Sequence, residues 1–162
     1  MTHASIRIEC LPVPSADPAL VQLLWHKGAP WVDDIRRRLA GECAGSVDRF
    51  FLAYDGPAMV AHVWYAAAQA DPRIGLLGHV FTRPEYRRRG LAARLIEAAL
   101  DRFRRDGGAL MQLFTYAPET VPFYARLGFE QIYASQSAHA ADWSMWSPPG
   151  ARATVEIGRA HV

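Results

Sequence analysis

An apolar run from Ile74 to Thr82 passes through Arg87-Arg88-Arg89-Gly90 into a stretch of strong helical period, Leu91 to Arg105. No other segment limits the fold so tightly. Within the second stretch Leu91, Leu95, Ala99 and Phe103 recur at steps of four, with Ala92, Ile96 and Leu100 beside them. Arg94, Glu97, Asp101, Arg102 and Arg105 take the opposite face. That pattern predicts a helix laying one apolar stripe on a sheet, and the run before it is a strand of that sheet. Gly90 permits the tight turn between them, and small Ala92 permits close approach. A helix starting there aims free backbone N–H groups and the positive end of its dipole at one point, which is a phosphate-binding geometry. The flanking arginines add charge-assisted donors.

The other segments extend this α/β order. Ile6 to Leu11 is predicted as a first strand, and Pro18 to His26 and Val32 to Ala40 as short helices broken by Gly28-Ala29-Pro30. Arg49 to Tyr54 and Ala58 to Ala67 form a strand pair around Asp55-Gly56-Pro57, where Pro57 argues for a loop longer than two residues. Gly107-Gly108 stops the long helix. Ala109 to Tyr116 is a strand, Glu119 to Leu127 a short helix closed by Gly128, and Phe129 to Ser135 and Trp143 to Trp146 are closing strands.

Composition narrows the function classes. A chain of 162 residues, 51% hydrophobic and 21% charged, suits one domain with its own core. Its formal charge of +2 is too small to argue for nucleic acid. No apolar run approaches the roughly 20 residues of a membrane helix, and Met1-Thr2-His3-Ala4-Ser5 lacks a secretory start, so a cytoplasmic protein without a membrane partner is expected. Cys10 and Cys43 show neither a CxxC pair nor metal-type spacing to histidine; they read as reduced thiols, with no metal expected. Glu156 to Val162 matches a reading frame of a common sequencing-library adapter, GAG-ATC-GGA-AGA-GCA-CAC-GTC. Residues 1–155 are therefore taken as the single domain and 156–162 as a non-native tail, with the natural chain free to continue beyond Val155.

Two motifs then point to a family. Val80-Phe81-Thr82-Arg83-Pro84-Glu85-Tyr86-Arg87-Arg88-Arg89-Gly90-Leu91-Ala92 resembles the strand-to-helix cofactor motif of the GNAT superfamily of acyl-CoA-dependent N-acetyltransferases. Phe123-Tyr124-Ala125-Arg126-Leu127-Gly128-Phe129 is similar to its second signature. The resemblance implies a central mixed, mostly antiparallel sheet of about seven strands, flanked by about four helices and splayed between its fourth and fifth strands. It implies that Arg87, Arg88, Arg89, Gly90, Leu91 and Ala92 grip the pyrophosphate of acetyl-CoA, and that Val80, Phe81 and Thr82 offer backbone hydrogen bonds to the pantetheine arm. Dimerisation is common among such relatives; nothing in this sequence establishes a homodimer.

The implied chemistry is direct transfer of an acetyl group to a primary amine in a ternary complex. It requires a base for the amine, stabilisation of the oxyanion and a proton for the leaving sulfur. Tyr124 matches the family position whose phenol often protonates the thiolate, with a core tyrosine on a short helix as the alternative. The Ile74–Thr82 strand carries no carboxylate where many relatives place the base, leaving His79 as candidate, with a packed histidine the equal alternative and His62 behind it. Relatives frequently carry an asparagine where this chain has Ala117, so that contact is lost or replaced, and Thr115 or Tyr116 could supply a hydroxyl. The acceptor would be a small-molecule amine or a protein N-terminus or lysine. Its groove would draw on Trp25, His26, Trp31, Asp33, Asp34 and Trp143, although core anchoring by Trp25 and Trp31, and helix-start roles for the aspartates, are the preferred reading. Arg36-Arg37-Arg38 reads as a solvated helix face. Two other functions stay open: a GNAT-type malonyl-CoA decarboxylase or carrier-protein acyltransferase using His79 and Thr82, and a non-catalytic acyl-CoA-binding domain.

Overall fold

The structure, a computed structural model, describes residues 6–11, 13–14, 20, 28–137 and 140–146. In chain order its elements are β1 (Arg7–Leu11), α1 (Ala29–Leu39), β2 (Ser46–Asp55), β3 (Ala58–Ala68), β4 (Ile74–Thr82), α2 (Leu91–Arg105), β5 (Leu110–Thr115), α3 (Val121–Arg126), β6 (Glu130–Ser137) and β7 (Ala140–Trp146). Single 3-10 turns span Pro84–Tyr86 and Pro118–Thr120. The strands form one seven-stranded sheet in the order β1-β2-β3-β4-β5-β7-β6. Only β4 and β5 run parallel; every other neighbouring pair is antiparallel. This is the mixed, mostly antiparallel sheet that the resemblance implied, with three α-helices among the described residues. The predicted Pro18–His26 helix lies outside them except for Leu20, which is fully buried. The 156–162 tail also lies outside.

Alternation along β2 divides the core between two faces. Phe51 and Ala53 join the α2 side, where Leu91, Leu95, Ile96, Ala99, Leu100 and Phe103 are buried. Phe50 and Leu52 join the α1 side with Ile35, Leu39, Met59 and Trp64. Opposite faces of one strand thus feed two clusters, as the two-residue strand period requires. β3, buried along nearly its whole length, is the strand both helices cover.

Two local expectations are corrected. The hairpin pairs Asp55 with Ala58, so its loop is only Gly56-Pro57. Gly56 takes φ 57, and proline's fixed negative φ suits the second loop position, so the pair fits a II′-type turn without a longer loop. α1 begins at Ala29 rather than Val32, because Pro30 in the first turn gives up an N–H that would have no intrahelical partner anyway. Cys10 is exposed and Cys43 half-buried, and both are free thiols. Among the described residues no helix is long and apolar enough to cross a membrane.

Candidate functional site

The turn between β4 and α2 is held by its own side chains. Arg83 donates from its backbone N–H to Val60 O (2.9 Å) and from Nε to Met59 O (2.8 Å). The Tyr86 hydroxyl donates to Asp55 Oδ2 (2.8 Å), tying the 3-10 turn to the hairpin. Arg87 Nε donates to Thr82 O (3.2 Å), and Arg89 Nη2 to Glu85 O (2.9 Å), with the Arg89 guanidinium 4.9 Å over the Tyr86 ring. These bonds bend the chain so that Arg88 (φ 61) and Gly90 (φ 73) both enter the left-handed region. For glycine that is free of penalty; for Arg88 it is strained backbone, of the kind concentrated at binding loops.

Gly90 caps α2 without any side-chain hydrogen bond, and the bond from Arg94 N to Gly90 O (3.1 Å) lies at the helix start. The amides of Leu91, Ala92 and Ala93 therefore have no acceptor within the helix. They lie at the positive end of the helix dipole, with the exposed Arg87, Arg88 and Arg89 around them. Donor amides, dipole and guanidinium charge converge as a pyrophosphate requires, so the residues present fit the group that the resemblance implied.

The second feature is the parting of β4 and β5. Their parallel ladder runs from Ile74–Leu110 to Leu77–Leu113 and stops, while β4 continues to Thr82 against β3 alone. Opposite β3 the register slips: His62 pairs Phe81 and Trp64 pairs Gly78, so β4 holds one residue too many. This is a β-bulge, and His79 sits in it at φ 49. A cleft of about 680 Å³ opens between the strands, lined by Gly78, His79, Val80, Thr115, Tyr116 and Tyr124, among others. Beyond Leu77 the cleft edge of β4 has lost its β5 partner, so its backbone groups are placed to bind an extended arm as an added strand would.

His79 is 8% exposed, held between Trp64 (centroids 5.2 Å) and the edge of Trp31 (5.7 Å). Its Nε2 lies 3.3 Å from Asp34 Oδ2. The same carboxylate accepts from Arg38 Nε (2.8 Å), and Arg38 Nη1 donates on to Asp48 Oδ1 (2.9 Å). Asp48 Oδ1 also accepts from the buried indole Trp64 Nε1 (2.7 Å). Burial works to raise the Asp34 carboxyl, but hydrogen bonds and charge from Arg38 and His79 outweigh it and hold the group below its ordinary range. Ionised, Asp34 only accepts, so the hydrogen of this contact is on His79 Nε2.

On the other wall Tyr124 lies in α3, packed edge-on against Phe123 and Phe129. Burial alone pushes its phenol up to about 12. Nearby, Thr120 Oγ1 donates to Ala117 O (2.7 Å), and the Thr115 and Thr120 hydroxyls are 2.8 Å apart. Ala117 N donates to Thr115 Oγ1 (3.2 Å). The Thr115 hydroxyl is thus engaged in holding its own turn, and Tyr116, 62% exposed, lines the cleft.

Not every sequence candidate joins this site. His62 is fully buried and stacked on Phe81 (5.8 Å), and it does not line the cleft. Asp33 pairs with Arg36 at the surface (3.1 Å). Trp25 and His26, and the side chain of Trp143, lie outside the described residues. Trp31, expected as a core anchor, is 46% exposed on the cleft wall, and Asp34 sits beyond the first turn of α1, as a partner of His79. Arg38 is no solvated helix-face residue: its side chain is 19% exposed and turned onto Asp34 and Asp48. The signal for it was the i,i+4 spacing from Asp34. Trp64 and Asp48 carried no such mark. Among the described residues no group of His, Cys, Asp or Glu is arranged to hold a metal ion.

The model of the Acetyltransferase (GNAT) family matches residues 17–129. No curated protein matches the chain in sequence. Among solved structures, ElaA of Escherichia coli is similar at TM-score 0.71 and 18% identity, covering 88% of this chain and 99% of its own. A ribosomal-protein-alanine N-acetyltransferase of Escherichia coli is similar at TM-score 0.70 and 17% identity, covering 89% of this chain and 94% of its own. The PaiA N-acetyltransferase of Thermoplasma acidophilum, solved in complex with coenzyme A, is similar at TM-score 0.64 and 15% identity, covering 90% and 99%. What is shared at such identities is the fold.

Proposed function

Because the chain belongs to the Acetyltransferase (GNAT) family, we propose that it moves an acetyl group from acetyl-CoA directly to a primary amine. The observation that carries this reading is the parting of β4 from β5 beside the uncapped start of α2. A phosphate-binding turn that follows the cleft strand β4, with a titratable dyad within the cleft, suits an extended thioester donor meeting an amine. In this reading the loop Arg87–Ala92 holds the pyrophosphate, and the backbone of Val80, Phe81 and Thr82 holds the pantetheine arm.

His79, neutral and steadied by Asp34, takes a proton from the acceptor ammonium. The freed amine attacks the thioester carbonyl, the C–N bond forms, and the C–S bond breaks as the tetrahedral centre collapses. Tyr124 gives its proton to the departing sulfur; a phenol pushed up to about 12 still holds that proton at neutral pH, as an acid must. The imidazole suits the base role, since its unperturbed pKa of about 6.5 lies close to working pH.

Thiol release from acetyl-CoA, measured with a panel of amines and compared with malonyl-CoA alone, tests the proposal. Release that depends on an amine supports it. Release from malonyl-CoA without any amine would favour the decarboxylase, and tight binding without release the non-catalytic domain.

A further inference from the structure

We propose that the acceptor is an amphipathic amine, a primary ammonium group on an alkyl or arylalkyl body, rather than an aminosugar or a polycation. The inference rests on the amine-transfer reading above and names its substrate class. Trp31, Leu76, Phe114 and Tyr116 are 46%, 37%, 48% and 62% exposed, and all four line the cleft. Large apolar side chains left in water are unremarkable when scattered, but here they gather at one opening, as at a recognition surface. The strip also continues past the cleft. A neighbouring hollow of about 480 Å³ shares Leu76, Phe114, Trp64 and Arg38 with it and adds exposed Ile74. The apolar path therefore leads away from His79 along β4 and β5.

The polar end of that path is narrow and negative. Asp34 and Asp48 set two carboxylates against the single guanidinium of Arg38, and only Asp34 of the two is reachable, its side chain 35% exposed against 4%. One ammonium is drawn to that end, beside the imidazole that would deprotonate it. The aromatic face of Trp31 favours the same cation. Further hydroxyl or ammonium groups on the acceptor would have to face Leu76 and Phe114 and lose their water there without replacement.

A homologous series tests this, because n-alkylamines from ethylamine to hexylamine share nearly the same basicity. With wild-type protein and saturating acetyl-CoA, kcat/KM is expected to rise about two- to fourfold per methylene, the gain from burying each one. Phenethylamine should exceed ethylamine by about a hundredfold. Phe114→Ser should flatten the dependence on chain length. A flat series in the wild type, or glucosamine or spermidine turned over faster than hexylamine, would overturn the acceptor class while leaving amine transfer standing. Failure of every amine to release thiol, with coenzyme A still bound, would instead remove the amine-transfer reading and this inference with it.

Discussion

Tyr124→Phe separates the burial of the phenol from its chemistry. The phenol is 9% exposed, and burial raises it from an ordinary value of 10 to about 12. A folded value above the unfolded one means that stability is fully present below pH 10 and is lost as pH rises toward 12. In the unfolded chain the phenol ionises first, drawing the equilibrium toward it. At pH 11 the loss is about one pKa unit, or about 1.4 kcal/mol; beyond pH 12 it approaches about 2.7 kcal/mol. Tyr65 is also raised to about 12, but it is present in both proteins and cancels in the comparison. Urea unfolding at pH 8 and pH 11 should thus show the wild type losing about 1.4 kcal/mol more than Tyr124→Phe. Equal losses would mean that the phenol ionises as freely in the folded protein as in water, and the burial argument would fall. Turnover is the second readout: it should drop by at least about tenfold, with coenzyme A affinity held within about twofold. Lost alkaline sensitivity with unchanged turnover would leave Tyr124 a packed tyrosine and assign the proton to water.

Three further substitutions probe the rest of the site. Arg87→Glu should weaken coenzyme A binding at least about tenfold, measured by calorimetry, through lost and reversed charge at the turn; unchanged affinity would sink the loop assignment. Asp34→Asn should lower kcat and move the acid limb of the kcat/KM profile to lower pH, since an imidazolium without its carboxylate partner releases its proton more readily, while Asp34→Glu restores both. A limb that stays in place would take Asp34 and His79 out of the proton path. Asp48→Ala leaves the indole of Trp64 without its acceptor and Arg38 with Asp34 alone, and should cost about 1–3 kcal/mol in urea unfolding; a loss below about 0.5 kcal/mol would mean that water already replaces Asp48.

The parts legible in the sequence were those written in local pattern. The stripe from Leu91 to Phe103, the turn at Gly90 and the strand before it each follow from spacing within one segment, and the structure has them as expected. What stayed hidden was assembled from afar. Asp34 and Arg38 come from α1, Asp48 from β2, Trp64 from β3 and His79 from β4, so no window of sequence contains the network. Read in line, Arg36-Arg37-Arg38 is a basic run; on a helix, Arg38 faces the same side as Asp34 and turns inward. The bulge was invisible for another reason. Its positive φ falls on His79 rather than on the adjacent Gly78, so the residue that would have advertised it is one position away.

That bulge also explains how the two ends of the cleft are coupled. In the proposed reading phosphate recognition at the α2 start would use backbone amides and a helix dipole, which any sequence able to make the turn supplies. Acceptor recognition in the proposed reading would use side chains of α1, β4 and β5, and exposed Trp31, Leu76 and Phe114 can be exchanged without disturbing Gly90. Both ends nevertheless meet on β4: its far end carries the turn at Thr82, and its extra residue sets His79 against Asp34. Deleting that residue would restore a regular ladder against β3 and remove the positive-φ bulge that holds His79. In that reading a change in acceptor preference is cheap in this fold, whereas a change in the length of β4 would remove the bulge that sets the proposed base against Asp34.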